Sequence, residues 1–261
     1  MIDIDVVYNE DCVVGMQKLP DNSIDLIVTS PPYNIGVKYD IFDDFRPWSE
    51  YYAWCKQWLT ECYRVLKPDG RFCLNHYFSC GTSETRSAPL LNLHCICTEI
   101  GFKHHGLAVW GDITLTKYQA WGSWLSASAP YVNSPYEAIL IQYKDHWKKD
   151  RKGVTQITPK EFMESCSGVW KLPTEKNRSG CPAPFPIALA SRCIRLLSYE
   201  GDIVLEPFMG SGTTPVAAKQ NKRYYIGYEI SKAYFDQSTS RLSQKNMSDW
   251  TEQPESDLPT G

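Results

Sequence analysis

The first residues in this chain whose types could do chemistry are Ser30-Pro31-Pro32-Tyr33. They follow Ser23-Ile24-Asp25-Leu26-Ile27-Val28 and Thr29, which end in the apolar, β-branched run that a buried strand needs. The tetrapeptide therefore falls at the carboxyl end of a strand, where open α/β sheets place their ligands. Two consecutive prolines fix φ twice, remove two N–H donors and hold the preceding residue extended. What is left is a stiff loop with free acceptors, the Ser30 hydroxyl and the Pro31 carbonyl, beside the flat face of Tyr33. Such a set suits a planar base that carries an exocyclic NH2, because the amine donates two hydrogen bonds while the ring stacks. A plain strand-to-loop turn containing two prolines accounts for the same four residues equally well.

A second stretch, Leu205-Glu206-Pro207-Phe208-Met209-Gly210-Ser211-Gly212-Thr213-Thr214, follows another short strand, Asp202-Ile203-Val204-Leu205. Its glycines permit a tight turn and close approach of backbone to a ligand, and a helix starting near Thr213 offers unpaired N–H groups. No Lys follows the glycines, so it is not a phosphate loop, and the third glycine of a dinucleotide fingerprint is missing. Taken together, the two stretches resemble the S-adenosylmethionine-dependent amino-methyltransferases of DNA. That family carries (Ser/Asp/Asn)-Pro-Pro-(Tyr/Phe) as its catalytic motif and Asp-Pro-Phe-x-Gly-x-Gly-Thr as its cofactor motif. Here the catalytic motif comes first, the permuted order of the β class, and the resemblance runs from about Asn9 to about Leu242.

The resemblance implies an α/β, Rossmann-like methyltransferase fold with a mostly parallel seven-stranded sheet and circularly permuted motifs. It implies S-adenosyl-L-methionine as cofactor and Ser30, Pro31, Pro32 and Tyr33 as the catalytic residues. Glu206 (Asp in the family), Phe208, Gly210, Gly212 and Thr213 fall on the cofactor motif. Glu229, at the end of the strand Arg223–Tyr228, matches the acid that takes the ribose hydroxyls. Asp11, in Asn9-Glu10-Asp11, matches an acid near the cofactor adenine, although capping the next helix is an equal role for it. Pro184 and Phe185 lie in Cys181-Pro182-Ala183-Pro184-Phe185-Pro186, similar to the family turn that flanks the cofactor. Ser in the first catalytic position goes mainly with cytosine N4 in this family, and Asp mainly with adenine N6, so cytosine N4 is favoured with adenine N6 as the alternative. A silent DNA-binding protein on the same scaffold, or methylation of RNA or protein, is a rival of another class. Carbon-5 methylation fits poorly, because it needs a Cys after Pro and the sequence has Cys181-Pro182 in the reverse order.

The partner implied is double-stranded DNA. The segment Lys144 to Gly153 carries five Lys or Arg against two Asp, with Trp147 interleaved. Basic charge with an aromatic is how phosphates and bases are contacted, and a solvated hairpin is the competing account. The family places its target reader here, so residues 144–180 are expected to read DNA through Lys144, Lys148, Lys149, Arg151, Lys152, Lys176 and Arg178. A homodimer and a restriction-enzyme companion are compatible with the family and not readable from the residues.

These residues need a scaffold, and 261 residues with 43% hydrophobic and 22% charged content can bury one full core. The expected organisation is a catalytic domain over 1–245 with the 144–180 insertion, then a disordered acidic tail over 246–261. A net charge of −3 does not advertise nucleic acid, but a sequence-specific enzyme needs only a local basic face. The ten cysteines form no Cys-x-x-Cys pair and read as reduced thiols in the core. The five histidines show no ligand spacing, so no metal is assigned. No apolar run is long enough for a membrane span, and a cytoplasmic, nucleoid-associated place is expected. Between the motifs, Tyr51, Cys55, Trp58, Leu59, Cys62, Tyr63 and Leu66 recur at helical spacing, with Lys67-Pro68-Asp69-Gly70 as the stop.

Overall fold

The computed structural model describes residues 2–41, 44–80, 86–111, 122–132, 136–173 and 185–243. The expected roles of Lys176, Arg178 and Pro184, and the acidic tail, lie outside the described residues. The strands are β1 (Val6–Tyr8), β2 (Ile24–Thr29), β3 (Leu66–Tyr77), β4 (Lys103–Trp110), β5 (Glu137–Tyr143), β6 (Val169–Trp170), β7 (Ile203–Glu206) and β8 (Tyr224–Tyr228). The helices are α1 (Cys12–Met16), α2 (Trp48–Val65), α3 (Pro89–Ile100), α4 (Pro159–Cys166), α5 (Ile187–Leu197), α6 (Thr213–Gln220) and α7 (Lys232–Ser243).

All eight strands form one sheet in the order β1-β8-β7-β2-β3-β5-β4-β6. The β1–β8, β8–β7, β7–β2, β2–β3 and β4–β6 pairs are parallel, and β5 runs antiparallel to both β3 and β4. The mostly parallel sheet is as the sequence implied. The difference is the eighth strand, the two-residue β6, which joins β4 at the far edge through Val109↔Val169 and Trp110↔Trp170.

Strand alternation splits the core into two layers. Ile27, Leu205 and Ile226 face a cluster with Trp58, Leu59 and Leu93 from α2 and α3. Leu26, Val28, Val204 and Tyr225 face the other way, onto Ala190, Ile194 and Ala217 from α5 and α6. Helices on both faces are what a parallel sheet with apolar residues on both sides requires. Cys12, Cys55, Cys62, Cys73, Cys97 and Cys193 are buried free thiols in these layers, acting as small apolar residues.

The helix expected over the Tyr51–Leu66 pattern is α2, and its Tyr51, Cys55, Trp58, Leu59 and Cys62 are all buried. Its expected stop is not a free turn. Lys67-Pro68-Asp69-Gly70 opens β3 instead, because Leu66 pairs with Ile24 and the Pro68 carbonyl accepts from the N–H groups of Asp145 and His146.

Register decides which end of the sheet each connection occupies. β2 and β7 lie side by side, with Leu26↔Val204 and Ile27↔Leu205, so Ser30 and the turn after Glu206 share the carboxyl end. Tyr77 pairs with Glu137 and Glu137 with Trp110, which brings the end of β3, the start of β5 and the end of β4 to that same end. At its other terminus β5 finishes opposite Arg71 and Lys103, so the segment from Lys144 onward begins at the amino end. Among the described residues no helix is long and apolar enough to cross a membrane.

Candidate active site

A cavity of about 280 Å3 opens at the carboxyl end and is walled by Ser30 to Tyr33 on one side and Phe208 to Ser211 on the other. Glu137, Tyr77 and Trp110 close it toward the antiparallel edge, and Glu229, Ile230 and Ser231 toward β8. The size is near the lower bound for a small-molecule site.

The Ser30–Tyr33 loop is held from behind. Tyr51 of α2 donates to the Pro32 carbonyl at 2.7 Å and is 3.0 Å from His76 Nε2. The Tyr33 ring lies against the His76 ring, with centroids 4.3 Å apart, and edge-on to Tyr77 at 5.1 Å. Burial pushes His76 down to about 3, so the imidazole is neutral in this stack. The Tyr33 hydroxyl donates to Glu137 Oε2 at 2.7 Å and lies 2.7 Å from Ser30 Oγ. Asn75 Nδ2 donates to Tyr33 Oη at 2.9 Å and to Glu137 Oε2 at 2.5 Å. The aromatic face and the hydroxyl acceptor expected from sequence are therefore brought together, and each is fixed by packing.

The turn after β7 is bound to the same loop from below. Glu206 is buried, and its carboxyl accepts from Thr29 Oγ1 at 2.6 Å, Thr214 Oγ1 at 2.8 Å and Phe208 N at 3.1 Å. Burial pushes its pKa up to about 8. Glu206 does not line the cavity. Its place as a direct cofactor contact is thus corrected: the longer side chain is spent on three internal hydrogen bonds that tie β2, β7 and α6 together. Gly212 is corrected as well. It has φ of +85° as the residue capping α6, and a Cβ there would meet Ser238 Cβ at 3.0 Å, so it serves helix packing rather than the cavity wall.

The other cofactor positions converge. Gly210, at φ +53°, donates its N–H to Glu229 Oε2 at 2.8 Å, and Ser231 N donates to Oε1 at 2.8 Å. Burial raises the Glu229 pKa. Each carboxylate oxygen retains a lone pair, which fits a ligand diol. Phe208, Gly210 and Thr213 line the cavity between Glu229 and Ser30, and Phe185 faces it from the far wall. Asp11 also lines the cavity, while its Oδ1 caps α1 by accepting from Val13 N at 2.9 Å and Val14 N at 3.1 Å. The donor set fits an S-adenosylmethionine: acids at the nucleoside end, a glycine turn between, and hydroxyl acceptors where a methyl acceptor would sit.

The basic segment does not reach this site. Lys144 Nζ is buried and donates to Asn22 Oδ1 and to the carbonyls of Arg64 and Leu66 at 2.9–3.1 Å. The Lys149 side chain is 5% exposed and lies 4.0 Å from Asp25 Oδ1 and 3.8 Å from Asp202 Oδ2. Arg151 pairs with Asp202. Lys148 and Lys152 are exposed beside them. Of these cations, Lys149 and Arg151 answer the acids at the amino end of β2 and β7. Residues that sequence reasoning missed are Asn75, His76, Tyr77, Trp110 and Glu137. Only Glu137 carried a signal, an acid opening an otherwise apolar strand.

The profile of the DNA methylase family, the N6/N4 methyltransferases, matches residues 24–240. The Type II methyltransferase M.MjaVI of Methanocaldococcus jannaschii is 44% identical over 161 residues, covering 61% of this chain and 82% of that protein. The Type II methyltransferase M.HpaI of Haemophilus parainfluenzae is 31% identical over 248 residues, covering 90% and 73%. Among solved structures, a DNA modification methylase of Thermus thermophilus complexed with S-adenosyl-L-methionine superposes with a TM-score of 0.71, at 24% identity over 91% of this chain and 92% of that one. The cytosine-N4-specific PvuII DNA methyltransferase gives 0.70 at 21% identity, over 92% and 87%.

Proposed function

This chain belongs to the N6/N4 DNA methylase family and is an S-adenosylmethionine-dependent DNA amino-methyltransferase, and from that premise we propose that it methylates the N4 amine of a cytosine extruded from duplex DNA. The observation that carries the choice of base is Ser30. The first catalytic position is a neutral hydroxyl at the cavity wall rather than the carboxylate that goes mainly with adenine N6 in this family.

In this reading the cofactor is held by Glu229 and Asp11 at its nucleoside end and by Phe208, Gly210 and Thr213 along the turn. Phe185 closes the wall opposite. When bound it supplies an electrophilic methyl group on sulfur. The extruded cytosine lies on Tyr33, whose ring His76 and Tyr77 keep from turning. Its amine donates to Ser30 Oγ and the Pro31 carbonyl, which favours a pyramidal nitrogen whose lone pair can attack. The same oxygens then face the nitrogen as it becomes cationic, the point at which fixed acceptors lower a barrier most. Unstacking the base costs a few kcal/mol, and the Tyr33 face offsets part of that.

The test is to methylate DNA with the pure protein and tritiated cofactor, digest it and identify the labelled nucleoside. N4-methylcytosine is the expected product. N6-methyladenine would overturn the base while keeping the site, and unlabelled DNA from a protein that binds cofactor would overturn the DNA assignment.

A further inference from the structure

Glu137 is a carboxylate on the wall of the catalytic cavity that the mechanism above leaves unused. Resting on the function proposed there, we infer that Glu137 sets the direction of the hydrogen-bond chain through Tyr33, so that Ser30 meets the target amine only as an acceptor. It is a positioning residue, acting through the Tyr33 hydroxyl.

The number of protons fixes that direction. A phenol has one proton, and Tyr33 gives it to Glu137 Oε2 at 2.7 Å. The 2.7 Å contact between Tyr33 Oη and Ser30 Oγ then has a single possible donor, Ser30. With its own proton committed to Tyr33, Ser30 Oγ presents only lone pairs to the cavity. That is what an amine N–H requires, and what a nitrogen gaining positive charge requires still more.

Reversing the chain would work against the reaction. With Glu137 protonated on Oε2, its hydrogen points to Tyr33 Oη; with Glu137 replaced by Leu, the Tyr33 proton has no acceptor at position 137. Tyr33 then donates to Ser30, and the Ser30 hydroxyl donates into the cavity. There it either opposes the amine N–H or hydrogen-bonds the nitrogen lone pair that must attack.

Asn75 gives independent support for an acceptor at Glu137. It turns its Nδ2 toward both Tyr33 and Glu137, and its own Oδ1 is buried with no partner among the described residues. An unpartnered buried oxygen is unfavourable, and it is tolerated here because both neighbouring oxygens call for donors.

Among the described residues, the groups that face Glu137 are Tyr33 from the catalytic loop, Asn75 and Tyr77 from β3, and Trp110 from β4. His76 lies behind Tyr33. Burial pushes both tyrosines up and holds His76 neutral, so none of them changes charge between about pH 5 and 9. Burial also raises the Glu137 carboxyl above the ordinary carboxylate range. Glu206 sits under Thr29, next to Ser30, and its own carboxyl is pushed up to about 8. The assignment must therefore come from variants and not from the wild-type profile alone.

The experiment is single-turnover methyl transfer to duplex DNA across pH 5–9 for wild type, Glu137→Leu, Tyr33→Phe and the double variant, with cofactor titration and thermal melting as folding controls. Glu137→Leu should lose about ten- to hundredfold in rate at high pH with cofactor affinity unchanged. The wild-type rate should fall as pH drops through the Glu137 pKa, and Glu137→Leu should lack that limb. In the Tyr33→Phe background the Leu substitution should cost no further rate, because the link it acts through is already gone. A wild-type rate for Glu137→Leu, a retained acid limb, or an equal loss in both backgrounds would overturn the inference while leaving the proposed function standing. Wild-type protein that transfers no methyl to cytosine would overturn both.

Discussion

At the amino end of the sheet Lys149 lies between Asp25 and Asp202, Lys67 is 2.8 Å from Asp25, and Arg151 pairs with Asp202. At the carboxyl end Glu137, Glu206 and Glu229 are also substantially buried, yet their hydrogen-bond donors are hydroxyls, amides and backbone N–H groups, and no ion pair to them is found among the described residues. The amino end cancels its charge with charge and builds the fold. The carboxyl end holds its acids with neutral dipoles, and burial leaves their pKa values raised; Glu137 and Glu229 line the cavity, while Glu206 is spent on internal hydrogen bonds. Two of the three acids without a charged partner line the cavity, whereas the acids that meet Lys67, Lys149 and Arg151 lie at the opposite end of the sheet.

The comparison is broken most severely by removing a cation at the amino end. Lys149→Met leaves Asp25 and Asp202 facing each other with less compensation in a buried setting. A loss of about 3 kcal/mol of stability is expected, read as a lower denaturant midpoint at unchanged slope, with cofactor affinity of the folded protein intact. A loss below about 1 kcal/mol would mean the acids there are held by their other donors. At the carboxyl end Ser30→Ala should do the reverse. One lost hydrogen bond to a developing charge is worth about 1.5–3 kcal/mol, so methyl transfer falls roughly ten- to hundredfold while melting temperature and cofactor affinity stay put. Methyl transfer at the wild-type rate would show that Ser30 is not the amine acceptor.

Glu206 sharpens the contrast through pH. Its folded pKa of about 8 lies above the ordinary 4.5, so between those values the folded protein keeps a proton that the unfolded chain releases. Its contribution to stability is therefore complete below about 4.5 and is lost as pH rises to about 8, at roughly 1.4 kcal/mol per pH unit at most. Glu206→Gln keeps the shape, removes the titration and should flatten the stability profile between pH 5 and 8. A profile equally steep in the variant would place the titrating group elsewhere.

Much of this architecture was legible because it rests on local pattern. The apolar run before Ser30, the glycines after Glu206 and the helical spacing from Tyr51 to Cys62 each report one element, and each element is where its pattern put it. The mostly parallel sheet followed from the resemblance to the family. What was not legible depends on pairing across sequence. Asn75, Tyr77 and Glu137 meet Tyr33 only because β3 and β5 pair antiparallel with Tyr77 opposite Glu137. Gly212 and Glu206 sit inside the cofactor motif, but packing against α7 and three buried hydrogen bonds turn them away from the cavity. In the basic run after β5, Lys149 and Arg151 meet acids more than 40 residues away in sequence, another pairing that local pattern does not report.

The smallest effect is expected where sequence alone expected a large one. β5 delivers Lys148 and Lys152 to the amino end, and β2 alone, six residues long, separates the two ends by about 20 Å. That is more than two screening lengths at physiological salt, about 8 Å each. The Lys148→Glu, Lys152→Glu double variant should therefore change DNA affinity less than about twofold and leave its salt slope in place. The surface to set against it is the connection from β4 to β5, which starts beside Trp110 and ends at Glu137, both on the cavity wall. It includes a turn closed by Ser123 N to Ala129 O at 2.9 Å and by Ala129 N to Ser123 Oγ at 3.0 Å. At the tip of that turn Trp124 is 71% exposed and Leu125 is 88% exposed, with Leu125 at a left-handed φ of +48°. An uncharged apolar tip suits contact with base faces more than with phosphates, so its contribution should be insensitive to salt. Replacing Trp124 and Leu125 by Ala is expected to weaken DNA binding about five- to tenfold, near 1 kcal/mol, without altering the slope. The measurement is fluorescence anisotropy of a labelled duplex at several salt concentrations. A steep loss of affinity and slope in the lysine variant, with none in the Trp124 and Leu125 variant, would return DNA to the amino end and undo the contrast between the two ends of the sheet.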